Sequence, residues 1–237
     1  MRDNKLALMI KGHEIWLGNA KTNNSGAELS LFYGHNMKQD GSLDPNRITP
    51  LVYTPAGATL TPPLAPTEDH HQIHVSADGD GYYTVVADMS AVIFSKTGDE
   101  WFEGPRYKFK NVTYAGAFHQ MAKRIIPIGE AGEFKGDPLH GILEIVPRDP
   151  MAAVGGEARL KVYYEGEPLP GAEVKAVSQK EGKDTWTMKT DEEGIARGPI
   201  TTDGEWMFLV RHVDPTKKAS EEFDETVFVS TLVMEAR

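Results

Sequence analysis

Alternation of apolar and polar residues is the dominant pattern along this chain, and it is most regular in residues 141–237. Leu160, Val162 and Tyr164 share one face of a predicted strand, and Trp206 and Phe208 share one face of a later strand. Turn-rich sequences such as EGEPLPG and TDEEG separate these segments. A period of two residues is typical of half-buried β-strands. Since helical periodicity is nearly absent, the pattern predicts an all-β protein with little helix.

The same pattern predicts two antiparallel, Ig-like β-sandwich domains, because many short strands are joined by short, turn-forming loops. We place the N-terminal β domain at residues 1–135 and the C-terminal Ig-like sandwich at residues 136–237. The boundary follows from residues 129–139, where Gly, Glu, Lys and Pro cluster and the apolar alternation stops. Residues 44–66 contain six prolines and are predicted to form a long irregular loop.

Several further strands are predicted in the first half of the chain from the same alternation. They are His13 to Leu17, Glu28 to Tyr33, Gln72 to Ser76, Tyr82 to Asp88, Ala91 to Ser95, Tyr107 to Thr113, and Gln120 to Ile128.

Composition and charge limit the candidate partners. The formal net charge is -10, with 35 acidic and 25 basic residues, which repels a phosphate backbone and argues against nucleic acid. No apolar run approaches the roughly 20 residues that span a bilayer, so the chain is not expected to cross a membrane. The opening MRDNKLALMI has too short an apolar run and no small-residue cleavage site for a signal peptide, and it is interpreted as mature sequence or as a remnant of expression. Cysteine is absent, so nitrogen, oxygen or thioether groups must hold any metal.

Histidines are the candidate site residues, and two of them lie near the start of the chain. His13 lies in GHEIWL, where alternation places it on the opposite strand face from Glu14. His35 lies in YGHNM, where Gly34 gives the backbone freedom to turn a side chain toward a ligand. The alternatives are a partly buried His13 that is bonded to backbone and a solvated turn residue at His35.

The sequence TEDHHQIH contains the densest histidine cluster. His70 and His74 are four residues apart and are predicted to lie on the same side of the segment, with His71 elsewhere. Glu68 and Asp69 could add oxygen ligands. The alternative is a solvated polar loop, because the segment follows the proline-rich PPLAP.

His212 and His119 are the remaining candidate ligands. His212 extends the face of Trp206, Phe208 and Val210 to its rim, and its alternative role is that of an ordinary strand-end histidine. His119 in AGAFHQ, ranked above His140 in PLHG, could complete a site between the two domains. Metal binding by these residues requires imidazoles from distant segments to converge, with Glu14 or Asp224 as candidate oxygen donors.

A resemblance to a known family appears in a series of short sequences. GHEIWL, YGHNM, GILEIVPRDP, EGEPLPGAEV, TDEEGIA and GEWMFLVRH together resemble the NikM-like family of extracytoplasmic nickel and cobalt uptake components. Members of that family typically begin their mature part with a His-x-x-Trp-Leu element. The resemblance runs from about His13 onward and is strongest in the C-terminal block, with its Ig-like, carboxypeptidase-regulatory-like sandwich.

The resemblance implies a periplasmic protein that binds a divalent transition metal and acts beside a membrane transporter component. Nickel or cobalt is the expected ion, with copper or zinc as alternatives, and His13, His35, His119, His212, His70 and His74 are the candidate ligands. The competing interpretation is a non-catalytic module that binds protein or carbohydrate partners, which exposed tryptophans at positions 16, 101 and 186 would favour. An enzyme is not expected, because no nucleophile and base arrangement is recognisable.

Overall fold

The computed structural model describes residues 5–237, and these residues are almost entirely β-strand. The first four residues of the predicted domain 1–135, which also open MRDNKLALMI, lie outside the described range. In residues 5–237, three short 3-10 helices cover Lys5–Lys11, Pro45–Arg47 and Arg106–Lys108. No helix within residues 5–237 has the length and apolar character needed to cross a membrane.

The strands, in chain order, are β1 (Glu14–Asn23), β2 (Gly26–His35), β3 (Lys38–Gln39), β4 (Ile48–Tyr53), β5 (Thr59–Leu60), β6 (Leu64–Pro66), β7 (His71–Ser76), β8 (Gly81–Thr97), β9 (Glu100–Glu103) and β10 (Tyr114–Ile128). The remaining strands are β11 (Leu143–Pro147), β12 (Met151–Ala152), β13 (Glu157–Tyr164), β14 (Glu167–Pro168), β15 (Glu173–Ser178), β16 (Lys183–Lys189), β17 (Ile195–Pro199), β18 (Gly204–Asp214) and β19 (Glu225–Ala236).

The described residues form three sheets. A five-stranded sheet has the order β1-β2-β7-β6, with β3 beside β2, and a four-stranded sheet has the order β11-β13-β14, with β17 beside β13. Between them lies a ten-stranded sheet of order β16-β15-β18-β19-β10-β8-β4-β5, with β12 beside β19 and β9 beside β8. All pairs are antiparallel except β10 with β19 and β12 with β19. The prediction of an all-β sandwich protein is confirmed.

The two smaller sheets cover different parts and opposite faces of the large sheet. The five-stranded sheet packs on the β8 and β10 part, where Leu17 and Ile73 meet Val85 and Phe118 in one buried core. The four-stranded sheet packs on the β15, β18 and β19 part in a second core. The large sheet therefore contains strands from both sides of the predicted boundary at residues 135 and 136, and that boundary stays a prediction.

A third apolar cluster joins the outer face of the five-stranded sheet to the C-terminal strands. Trp16, Phe32 and Met37 pack against Val177 and Met207, while Val233 completes the cluster. Because Ile15 and Leu17 point into the first core and Trp16 points into this cluster, the alternation predicted for β1 is observed. The start of β1 is thus held from both faces.

The proline-rich loop predicted at residues 44–66 is wrong in part, since β4, β5 and β6 all lie inside it. β4 pairs with β8 along its whole length, but it pairs with β5 only at Val52 and Tyr53. Pro50 lies before that short stretch, where one side of β4 has no strand partner. A proline without an N–H is tolerated there.

The strand predicted at Tyr107 to Thr113 is also wrong. A 3-10 helix begins at Arg106, and the next strand starts only at Tyr114. The aromatic residues that suggested a strand do not enter a core: Tyr107 is 64% exposed, and Phe109 packs on Phe102 with ring centroids 5.3 Å apart. Apolar residues in this segment thus lie on the surface.

Side chains from the large sheet satisfy the free edge of β1. The buried Gln120 accepts a hydrogen bond from Ile15 N at 2.9 Å and donates one to His13 O at 2.8 Å. Thr231 Oγ1 donates to Ile15 O at 2.7 Å, and Arg124 donates to Leu17 O at 3.2 Å. A buried strand edge needs partners for its backbone groups. These side chains supply them and hold the backbone beside His13.

Candidate metal-binding site

His13 is fixed by its own backbone just before β1. Its N–H donates to Leu8 O at 3.1 Å, and its C=O accepts from Gln120 at 2.8 Å. Gly12, with φ 101°, makes the sharp connection from the 3-10 helix into this position, a conformation that glycine adopts without steric cost. The ring of His13 lies 5.5 Å from the ring of Tyr33. The imidazole is therefore held by a rigid backbone.

His35 is placed by the hairpin that joins β2 to β3. It pairs with Lys38 across a two-residue turn, Asn36 and Met37, whose φ values of 52° and 58° suit a type I′ hairpin turn. Met37 anchors the turn in the third apolar cluster. A Cβ on Gly34 would stand 2.0 Å from Lys38 O, so this tight hairpin requires glycine there. The hairpin turns His35 back toward β1.

The two imidazoles meet at the paired ends of β1 and β2. Glu14 pairs with Gly34, so His13 and His35 stand at the next position in register, and their rings are stacked with centroids 5.8 Å apart. Two residues that are 22 positions apart in sequence thus become direct neighbours in space because the hairpin closes. The structure brings together this one pair of the predicted ligands.

Hydrogen bonds assign the tautomers of both rings. His13 Nε2 lies 3.1 Å from Asp40 Oδ2, and His35 Nδ1 lies 3.1 Å from Gly12 O. Carboxylate and carbonyl oxygens only accept, so both of these nitrogens carry hydrogen and donate. The lone pairs then reside on His13 Nδ1 and His35 Nε2. His13 Nδ1 is buried with no hydrogen-bond partner among residues 5–237, and the His35 side chain is 46% exposed.

Glu14 adds a buried carboxylate to the pair. Its Oε1 accepts from Asn36 N at 2.8 Å, and its Oε2 lies 3.4 Å from His35 Nδ1 but has no hydrogen bond within the described chain. Burial raises the pKa of Glu14, and the Asn36 amide, His35 and Lys175 offset this only in part. Arg211 also faces Glu14, and burial lowers the pKa of this arginine. Burial thus makes the charged form of the Glu14 carboxylate unfavourable.

Replacing Glu14 with glutamine is expected to raise the melting temperature at pH 7.5. The folded protein holds the Glu14 proton more tightly than the unfolded chain does, because burial raises the pKa. Glu14 therefore favours folding at pH values below its ordinary pKa. This contribution to stability is lost as the pH rises through the raised pKa of the folded state. Glutamine keeps the acceptor for Asn36 N and is never charged.

Thermal unfolding of both proteins between pH 4 and 8 measures this effect. The advantage of Glu14→Gln should shrink as the pH falls, because the wild-type carboxyl group then becomes neutral as well. Glu28→Gln, at a partly exposed position on β2, is the matched control, and its effect should stay within about 0.5 kcal/mol. A Glu14→Gln protein that melts below the wild type at pH 7.5 contradicts this interpretation.

His119 and His212 do not join the pair, because the large sheet lies between these two residues and the pair. Both stand opposite Phe228, on the two strands that flank β19. Adjacent residues in a strand point to opposite faces, so His119 faces away from Gln120, which contacts His13. His119 Nε2 lies 2.8 Å from Asp88, and the ring of His212 packs 4.3 Å from Tyr164. Asp224, a candidate oxygen donor, instead pairs with Arg106.

His70 and His74 belong to a different part of the five-stranded sheet. His70 precedes β7 and contacts Asp69 at 2.7 Å, while His74 lies within β7 and faces Glu28 at 3.7 Å. Four residues of extended chain span roughly 13 Å, so this segment spreads the two imidazoles apart where a helix would stack them. His71 is buried and donates from Nε2 to Leu43 O at 2.7 Å.

The donor set at the His13 and His35 pair suits a divalent transition metal. Neutral imidazole with carboxylate or water is the ligand environment that nickel and cobalt accept. Within residues 5–237, no three His, Asp or Glu side chains stand ready to enclose an ion. An ion would thus meet two imidazoles first and recruit water, while Asp40 stays bonded to His13 Nε2. Sequence reasoning missed Asp40, although its position five residues after His35 in a hairpin sequence was a usable signal.

The tryptophans give little support to a flat binding surface. Trp16 and Trp186 are buried, and Trp101 is partly buried against the first core, with its ring 5.6 Å from Tyr114. The aromatic side chains that are most exposed are Tyr107 and Phe102.

The fold and this pair define a β-sandwich protein with two histidines at a strand end. The chain belongs to the family described as Domain of unknown function (DUF4198), whose model matches residues 10–214. No curated protein matches the chain.

Solved structures share only a distant likeness with the chain. The D0-D1 domain of intimin is 11% identical, with 94% of this chain and 97% of that one covered and a TM-score of 0.23. A two-domain fibronectin type-III segment of chicken tenascin is 12% identical, with coverage of 91% and 96% and a TM-score of 0.23. A Salmonella alpha-2-macroglobulin reacted with methylamine is 11% identical, with coverage of 94% of this chain but 15% of that one and a TM-score of 0.28. Nothing about function follows from these structures.

Proposed function

We propose that the protein is a non-catalytic binding protein for a divalent transition-metal ion, with His13 and His35 as its first ligands. The observation that carries the proposal is the stacked pair of imidazoles at the joined ends of β1 and β2, whose centroids are 5.8 Å apart. Nickel or cobalt is the expected ion, with copper or zinc as alternatives. The sequence resemblance to the NikM-like family adds an extracytoplasmic setting beside a membrane transporter component.

The contacts around the pair support this role. Metal-binding histidines usually donate their second ring N–H to a carboxylate or a carbonyl, which fixes the tautomer and the orientation of the ring. His13 has this arrangement with Asp40, and His35 has it with Gly12 O. Glu14, Asp40 and the overall negative charge of the chain lower the cost of holding a cation. His13 Nδ1 is buried and the His35 side chain is half exposed, so an ion would approach from the His35 side.

Isothermal titration with Ni²⁺, Co²⁺, Cu²⁺ and Zn²⁺ tests the proposal. Changing one outer contact of a metal ligand typically costs 10- to 100-fold in affinity, so His13→Gln with His35→Gln should weaken binding by about 100-fold or more. The matched control is His70→Gln with His74→Gln, which removes two histidines from the same sheet and should leave the affinity unchanged. Binding should also weaken from pH 7.5 to pH 5.5, because histidines take up protons in this range.

Two outcomes contradict the proposal. The His13 and His35 double variant could bind with wild-type affinity while the control loses binding, which would assign the ion to β7. Alternatively, the wild-type protein could bind none of the four ions at millimolar concentration.

A further inference from the structure

A cluster of basic side chains lies on the outer face of the four-stranded sheet. Leu160 and Val162 of β13 point into the second core, so Arg159 and Lys161 point away from it. An open depression of about 540 Å³ lies over this outer face. Its basic lining residues are Lys135, Arg148, Arg159 and Lys161, and Glu193 is an acidic one. No residue of the metal site proposed above lines this depression.

Three arginines stand side by side across this sheet. Arg159 of β13 is directly opposite Arg197 of β17. On the other side of β13, Arg148 follows the last residue of β11, and its backbone N–H donates to Arg159 O at 2.9 Å. Neighbouring strands are about 4.8 Å apart, so the row is roughly 10 Å wide. Like charges directly opposite each other on a sheet are destabilising, so an anion bound over this row would relieve a repulsion.

Two of the three arginines have acidic neighbours at the rim of the depression. Arg197 lies 3.6 Å from Asp191, and Arg148 lies 4.0 Å from Asp149. Both distances are long for a charge-assisted hydrogen bond. Asp191 also closes its own turn, where its Oδ1 accepts from Ile195 N at 2.9 Å. The rim acids therefore neutralise the arginine row only in part.

The floor of the depression holds two cations without a carboxylate partner. Arg159 and Lys161 are half-buried, and in the part of the chain that the structure describes neither forms an ion pair. Arg159 acts on Asp191 only at longer range, and Glu193 is exposed at the rim. Lys161 Nζ lies 5.2 Å from the centroid of the Tyr163 ring, a cation–π contact that holds the ammonium group in place. Cations that are partly withdrawn from water without a counter-ion point to an anionic ligand.

We propose that this depression binds a small ligand that carries two or more carboxylate or phosphate groups. The planar guanidinium of Arg159 matches either group with two parallel hydrogen bonds, and Lys161 adds a compact positive charge. A volume of about 540 Å³ is that of a small-molecule pocket. The net charge of -10 on the whole chain repels a long polyanion, so a local basic cluster favours a compact anion over a polymer.

Calorimetric titration of the full chain with citrate and with pyrophosphate, in buffer without added metal, tests the proposal. We expect at least one of them to bind, and Arg159→Gln with Lys161→Gln to weaken that binding by about tenfold or more. Lys180→Gln with Lys183→Gln makes the same change in net charge at two exposed positions outside the depression and should bind as the wild type does. Binding of pyrophosphate alone assigns a phosphate ligand, and binding of citrate alone assigns a carboxylate ligand.

Arg159→Lys separates recognition by the guanidinium from general attraction between charges. Lysine keeps the charge but loses the two-pronged donor, so the affinity should fall by about tenfold. The bound anion should also raise the melting temperature of the wild type more than that of the Arg159 and Lys161 double variant. That comparison shows in the same experiment that the variant is folded.

The proposal is overturned if neither anion binds at millimolar concentration, or if the Arg159 and Lys161 double variant binds as the wild type does. It is also overturned if the lysine control loses binding equally, or if Arg159→Lys retains the full affinity. The double variant of His13 and His35 should bind the anion as the wild type does, so the metal site and the anion site can fail separately.

Discussion

Replacing Lys123 with methionine is expected to lower the free energy of unfolding by about 3 to 5 kcal/mol. Lys123 Nζ donates to Glu144 Oε1 at 2.7 Å, and both side chains are almost fully buried, with 2% and 1% exposed. Methionine fills the same volume but leaves the Glu144 carboxylate without its cation. An unpaired buried charge is far more costly than the pair it came from. Denaturant unfolding of the two proteins measures the difference.

A double variant distinguishes charge from packing. Lys123→Met with Glu144→Gln removes both charges and keeps an acceptor for Leu139 N, so it should recover most of the lost stability. Lys180→Met, which breaks an exposed pair with Asp203, should produce no measurable change. If the single and double variants at Lys123 are equally unstable, the loss comes from packing and the explanation from charge is wrong.

Replacing Gln120 with leucine is expected to cost about 2 to 4 kcal/mol of stability, because each buried polar group left unpaired costs about 1 to 3 kcal/mol. Gln120 serves two backbone groups of the β1 edge, His13 O and Ile15 N. Leucine serves neither. Chemical denaturation gives the change, and metal titration of the same protein should show weaker binding because His13 loses its backbone support.

Thr231→Val is the matched control for Gln120→Leu. It removes one hydrogen bond to the same strand, from Thr231 Oγ1 to Ile15 O, so it should cost about 1 kcal/mol. Two results together would show that the edge contacts do not position His13. Gln120→Leu would be no less stable than Thr231→Val, and it would bind metal as the wild type does.

Local alternation was sufficient to predict most of the strands. β13 follows directly from its periodic apolar residues because it has one face in the second core, and β18 follows from Trp206, Phe208 and Val210, which lie in the same core. The pairing of β10 with β19 joins residues such as Gly116 and Glu225, and no local pattern encodes so distant a contact. β4 was not predicted because prolines indicated an irregular loop. The strand tolerates Pro50 because one side of β4 has no strand partner at that position.

The candidate site was predictable only as far as the first hairpin. His13 and His35 meet because β1 and β2 are consecutive antiparallel strands, whose register follows from a short turn. The charges around Glu14 include Lys175 and Arg211, which come from strands of the C-terminal half. His119 was grouped with the pair as a residue that could lie between the two domains, and His212 as a residue at the rim of an apolar face, whereas the large sheet separates both of them from His13 and His35.

Cobalt-induced shifts of the histidine ring signals test the central claim most directly. One equivalent of Co²⁺, added to protein with ¹⁵N-labelled histidine, should produce strongly shifted imidazole resonances for two residues. These two resonances should be absent when His13 and His35 are changed to glutamine. Shifted signals that persist in that variant, or that belong to His70, His74 or His212, contradict the account.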